Sequence, residues 1–224
     1  MRSDVLMRSD VLVAHQPAYL PWPGYFSRLL DVDRLVLLDH VQFTERGWQN
    51  RNYLRTRRGD RVRLTVPVRQ RFGQSINQVQ IADPDFTARH WRTIQQTYRH
   101  APYWTNYAAD LAPLYQARWT SLSALNHAVI RTLLNCLGHP VQILRASDLA
   151  PKGTSTAMLV DLCRRTNTSV LRVGTGAATG YLDQRLLIEH GISLEIATYT
   201  TADAPVSVLD TLLEVPRGFR TGTQ

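Results

Sequence analysis

The residues best suited to chemistry stand where short apolar runs end. Val11-Leu12-Val13-Ala14 runs into His15-Gln16, and Arg34-Leu35-Val36-Leu37-Leu38 runs into Asp39-His40. An imidazole has its ordinary pKa near neutrality, so His15 can act as a general base or orient a substrate. Asp39 can orient that imidazole or accept a substrate ammonium. Gln49, Asn50 and Arg51 follow, two amides able to hold a polar ligand and a guanidinium able to hold an anion. Late in the chain, Gly174 and Gly176 permit close backbone approach to a ligand, with Asp183 just beyond. This set suits group transfer. Direct attack by an amine or hydroxyl on an activated acyl donor needs a base and an oxyanion donor, and no covalent enzyme intermediate. No nucleophile motif of the GxSxG kind is present. Each residue also has a plain structural reading: His15 as a buried histidine bonded to a backbone carbonyl, and Gln49 to Arg51 as a polar loop under Trp48.

The elements that must position these residues follow from the apolar pattern. Short apolar runs bounded by turn signals read as buried strands. Pro17, Pro21, Pro23 and Gly24 break the backbone pattern after the first strand. Tyr25, Phe26, Leu29, Leu30 and Val32 then recur at helical spacing. Arg-Gly-Asp at 58–60 reads as a hairpin turn, and the alternation from Ile76 to Ile81 as a further strand. Helices are expected from Phe86, from Trp104, and from Ser121 or Ser123 to Leu137, where Gly138 stops the last. Strand and helix then alternate. Residues 140–144, 169–173 and 193–199 read as strands, Ala157 to Arg165 as a helix behind the hydroxyl-rich start Thr154-Ser155-Thr156, and 174–180 as a loop. The pattern implies an α/β fold with a mostly parallel, Rossmann-like sheet and a helical insertion in the middle. Residues 11–224 are expected to form one domain, with 62–137 as the hairpin and helical insertion. Residues 1–6 recur unchanged as 7–12, a duplicated start region rather than an architectural repeat.

Composition bounds the class. The 224 residues carry a net charge of +8, and Lys152 is the only lysine, so arginine supplies almost all the positive charge. Guanidinium groups suit carboxylates and phosphates. The arginines are scattered, however, and no nucleic-acid motif accompanies them, which ranks RNA or DNA binding last. No stretch approaches the ~20 consecutive apolar residues of a membrane span, and no signal-peptide pattern is present, so the default location is cytoplasmic with no membrane partner. Cys136 and Cys163 lie in apolar helical runs without ligand spacing, and no spacing elsewhere calls for a metal or a cofactor.

The motifs also carry a resemblance. His15-Gln16-Pro17, Tyr19-Leu20-Pro21-Trp22 and Gly24-Tyr25-Phe26 come first, then Leu38-Asp39, Val41-Gln42-Phe43 and Trp48-Gln49-Asn50-Arg51-Asn52. Further on stand His90-Trp91, Tyr98 to Trp104, Leu122 to Asn126, Arg145 to Leu149, Gly174-Thr175-Gly176 and Tyr181-Leu182-Asp183. This collinear pattern resembles the WbqC-like family, found among bacterial surface-polysaccharide and secondary-metabolite genes. The resemblance implies an aminoacyl or acyl (glycyl-type) transferase acting on a small or carrier-bound substrate, with an acidic carrier protein or aminoacyl-tRNA as candidate partners. It adds Tyr19 to the substrate-binding set. The chain's C-terminal Ser207-Val208-Leu209-Asp210 fits the family's SxLD element, but the preceding Pro-Gln and Phe are missing. A non-catalytic protein binding a sugar nucleotide, amino acid or carrier is the first alternative. A nucleotidylyltransferase-like enzyme is the second, although two residues after His15 stands Pro17, without the second histidine of an HxGH motif.

Overall fold

A computed structural model describes residues 10–32, 34–139, 141–180, 182–199 and 206–217, with 177–179 as backbone only. The first copy of the duplicated start, Tyr181 and Ala204-Pro205 lie outside the described residues. In chain order the elements are β1 (Val11–His15), α1 (Pro23–Ser27), β2 (Arg34–Leu37), β3 (Arg51–Arg55), β4 (Arg61–Thr65), β5 (Val68–Arg69) and β6 (Gln80–Ile81). Helices α2 (Phe86–Tyr98), α3 (Trp104–Gln116) and α4 (Leu122–Cys136) follow, then β7 (Gln142–Arg145), α5 (Ala146–Leu149), α6 (Ser155–Arg165) and β8 (Val170–Gly174). The chain continues through α7 (Thr175–Gly180), α8 (Gln184–Glu189), β9 (Ser193–Ala197) and α9 (Leu209–Leu212).

The chain divides into two compact units. The first, from the described parts of 1–16, 24–38 and 140–200, is an α/β layer built on one parallel sheet of order β7-β2-β1-β8-β9. Val11, Leu12 and Val13 are buried on both faces, as the central strand of a parallel sheet requires. Val13 pairs with Leu35, and Val11 with Val170, so β1 lies between β2 and β8. The connections run outward from β1 through β2 to β7, then return to β8 and run outward again to β9. The direction therefore reverses between β1 and β8. Ligands of open α/β sheets bind outside the carboxyl ends of the strands at such a reversal.

The second unit comprises residues 17–23 and 39–139 with the described part of 201–224. It holds the antiparallel hairpin of β3 and β4, whose register Asn52↔Leu64 and Arg55↔Arg61 puts Thr56 to Asp60 in the turn, with Gly59 at φ +90°. It also holds the short pair β5–β6 and helices α2, α3, α4 and α9. Ser121 caps α4 by accepting a hydrogen bond from the Ala124 N–H at 3.3 Å.

Two expectations change. The segment 76–81 alternates in polarity but begins as a 3-10 turn at Ile76–Gln78, and only Gln80–Ile81 pairs as strand. The chain bends there because Ile76 and Val79 are both buried, three residues apart, which is helical rather than strand spacing. The expected loop at 174–180 is instead the last residue of β8 followed by the helix α7. Among the described residues, no helix is long and apolar enough to cross a membrane.

Candidate functional site

His15 is the last residue of β1, and Pro17 stands two residues on, where a missing N–H prevents the ladder continuing. Its backbone carbonyl still accepts from the Leu38 N–H at 2.9 Å, so the sheet grips the residue while its side chain emerges at the carboxyl edge. The ring meets Tyr25 edge-on, with centroids 4.5 Å apart. Nδ1 lies 2.9 Å from the Gln16 carbonyl oxygen. A carbonyl only accepts, so Nδ1 carries the proton and the lone pair sits on Nε2. Burial, then the nearby Arg28 guanidinium, bring the imidazole pKa down to about 4, while the Gln16 bond works in the opposite direction. His15 is therefore neutral across the physiological range. It can accept a hydrogen bond or a proton, but its own titration lies well below the value expected of a free imidazole.

The side chain borders a cavity of about 310 Å³ that belongs wholly to the first unit. Arg28, Ser155, Met158, Gly174 and Leu182 share its wall with His15 and Gln16. It sits at the ends of β1 and β8, where the sheet reverses direction. Gly174 leaves room for Arg28: a Cβ there would meet the guanidinium, which fills the space of a side chain. Arg172 also lines the cavity, and its charge is balanced within the sheet layer. It donates to Asp31 at 2.8 Å and to the Leu30 carbonyl at 2.7 Å, and pairs with Glu195 at 2.9 Å. The eleven-residue helix α6 starts at the cavity with Ser155, and the side chain of its N-cap residue Thr154 makes no capping bond. Its first-turn N–H groups and dipole make this end of the helix positive. Ala150, Gly153 and Ser155 all have positive φ, at 47°, 83° and 50°, so the connection into α6 is bent tightly to bring the helix here.

Other expected residues have definite tasks. Asp183 Oδ1 accepts from the Arg185 and Leu186 N–H groups and so caps α8, while its own N–H donates to Thr156 Oγ1 at 3.0 Å. Gly176 lies in α7, with open space where a Cβ would stand. Tyr19, Asp39, Gln49, Asn50 and Arg51 belong to the second unit. Asp39 is buried, with Ser123 Oγ at 3.5 Å from Oδ2. The Gln49 side chain accepts from the Thr44 N–H at 2.9 Å, and its carbonyl accepts from Asn126 Nδ2 at 2.7 Å. Asn50 Nδ2 donates to the Val66 carbonyl at 3.0 Å, and Arg51 donates to the Arg46 carbonyl. Asn52, fully buried, donates to the Leu20 carbonyl at 2.6 Å. In this segment the amides fasten loop backbone. Tyr19 is buried in a network of its own: its hydroxyl lies 2.8 Å from His90 Nδ1 and 3.2 Å from the Tyr115 hydroxyl.

Sequence reading missed Arg28. Its signal was faint: a lone cation one turn after Tyr25, in a segment otherwise read only for its apolar spacing.

Comparison with known proteins adds a family. The model described as the WbqC-like protein family matches residues 16–215. Over 212 residues the chain is 30% identical to a Mycobacterium tuberculosis protein named "Uncharacterized protein Rv1507c", covering 89% of this chain and 91% of that one. No solved structure matches the chain.

Proposed function

The chain belongs to the WbqC-like protein family, and from that premise and the cavity at His15 we propose that it is a group-transfer enzyme. The observation that carries the reading is the neutral imidazole of His15 facing a cavity with the Arg28 guanidinium at the sheet's reversal point. The reaction is transfer of an acyl or aminoacyl group from an activated donor to an amine or hydroxyl. The acceptor's lone pair forms the new bond to the acyl carbon. The leaving group departs with the electrons of the broken bond. The acceptor's proton passes to His15 Nε2 and from there to the leaving group. Arg28 holds an acidic part of the donor, and the start of α6 adds backbone donors for it. No step is routed through Asp39 or Gln49 to Arg51.

Donor binding also retunes the base. Arg28 is one cause of the low His15 pKa. An anion placed against the guanidinium cancels its repulsion of the imidazolium, so His15 becomes more basic when the donor is bound. The free enzyme keeps a weak base, and the complex has a stronger one.

Nucleotidylyl transfer is the second reading. It is favoured by the cavity's position at the reversal of strand order and by the start of α6 beside it. The test is a ligand-dependent thermal shift followed by turnover, comparing aminoacyl and acyl-carrier thioesters with nucleotides. Arg28→Gln is expected to abolish the shift given by the acidic donor. His15→Gln is expected to keep the shift and to lose turnover by about 10²–10⁴-fold. Full turnover by His15→Gln would overturn the proposal. A donor that shifts both proteins but is never transferred by the wild type would make the cavity a binding site without catalysis.

A further inference from the structure

The second unit has a cavity of its own, of about 420 Å³, formed by the end of β3, the end of α2 and the α9 segment. Its inner part is internally neutral. Arg55 Nε lies 3.3 Å from Asp210 Oδ2, and the Tyr98 hydroxyl donates to Asp210 Oδ1 at 3.2 Å. Its rim carries one further guanidinium, Arg57, and one further carboxylate, Glu214, both exposed. Neither has an ion pair among the described residues. The carboxyl end of the thirteen-residue helix α2 also faces here through Thr97 and Tyr98, and a helix C-terminus favours positive charge.

We propose that this cavity binds a small zwitterion of the amino-acid class. The carboxylate of the ligand pairs with Arg57, and its ammonium pairs with Glu214. The charge count argues for both charges together. With the charges of Arg55 and Asp210 offsetting each other, Arg57 and Glu214 leave one site of each sign, so a ligand of a single sign would leave one of them unmatched and be repelled by the other. The site stands independently of the group-transfer reading, because none of its residues belongs to the His15 cavity.

Isothermal titration calorimetry on the full chain with a panel of free amino acids tests it. The best binder is then compared with its decarboxylated and its deaminated counterparts, for serine ethanolamine and 3-hydroxypropionate. Removing either charge is expected to weaken binding roughly tenfold or more, the loss of one charge-assisted bond. Arg57→Gln and Glu214→Gln, both on the exposed rim, are expected to do the same while melting as the wild type does. His15→Gln is expected to bind as the wild type does, which separates a failure here from a failure of the transfer reading. Absence of binding across the panel overturns the proposal. So does binding that persists in both rim variants, or equal affinity for the singly charged counterparts.

Discussion

Acidification offers a sharp test of the buried network at His90. His90 lies on α2 with a fractional exposure of 7%, edge-on to Phe86 and bonded to the Tyr19 hydroxyl at 2.8 Å. Its pKa is held down to about 4, first by burial and then by Arg89, while a bond to the Thr65 backbone works the other way. That bond puts a ring N–H on the Thr65 side, so Nδ1 accepts from Tyr19, and Tyr115 can donate to Tyr19 in turn. Between the unfolded value of 6.5 and the folded value, the unfolded chain takes up a proton that the folded ring refuses. Stability contributed by the neutral ring is therefore present above 6.5 and is lost as pH falls through the window toward 4. Integrating the difference from about pH 7 to about pH 4.5 gives roughly 2.5 kcal/mol, or less as the site relaxes. His90→Phe removes the titration and keeps an aromatic ring against Phe86. It also deprives the Tyr19 hydroxyl of its acceptor, at a cost of about 1–3 kcal/mol at neutral pH. The assay is urea unfolding of both proteins followed by tryptophan fluorescence at the two pH values. The wild type is expected to be the more stable at neutral pH and to lose about 2.5 kcal/mol more than the variant on acidification. His15 and His40, also held low, titrate in both proteins and cancel from the difference. Equal losses in the two proteins would refute the assignment of this acid sensitivity to His90.

Two substitutions probe the rest of the structure. Gly174→Ala places a methyl where Arg28 Nη2 now lies, so the guanidinium must leave its seat. Because the clash is with the flexible end of a side chain, melting should change little while binding of acidic donors in the His15 cavity falls, read by thermal shift. Asn52→Ala removes the donor to the Leu20 carbonyl and the acceptor of the Tyr53 N–H at a fully buried position. Unfolding stability should drop by about 2–4 kcal/mol by urea titration, and a loss under about 0.5 kcal/mol would show that these bonds do not hold the loop.

Local chemistry decided which parts of this molecule could be seen in its sequence. The strands at Val11, Arg34 and Val170 are legible because a central parallel strand must be apolar on both faces, and the order of strands and helices then implies a parallel sheet with right-handed crossovers. The Ser121 cap is legible because capping is a bond within four residues. The 76–81 segment is not, since burial of Ile76 and Val79 comes from what packs on them and overrides alternation. The same limit governs the site. His15 at a strand end is visible, but its low pKa depends on burial and on Arg28, and the seat of Arg28 is Gly174, at the end of a strand far away in the chain. Density of polar side chains is an especially poor guide. Gln49, Asn50 and Asn52 have the composition of a binding loop, yet their bonds to Thr44, Val66 and Leu20 hold backbone in place. Arg57 and Glu214 sit in stretches without a motif, yet they place two opposite charges on the rim of one cavity. What distinguishes a ligand-binding group from a structural one is whether the fold already satisfies its hydrogen bonds, and that is a property of long-range contacts rather than of residue type.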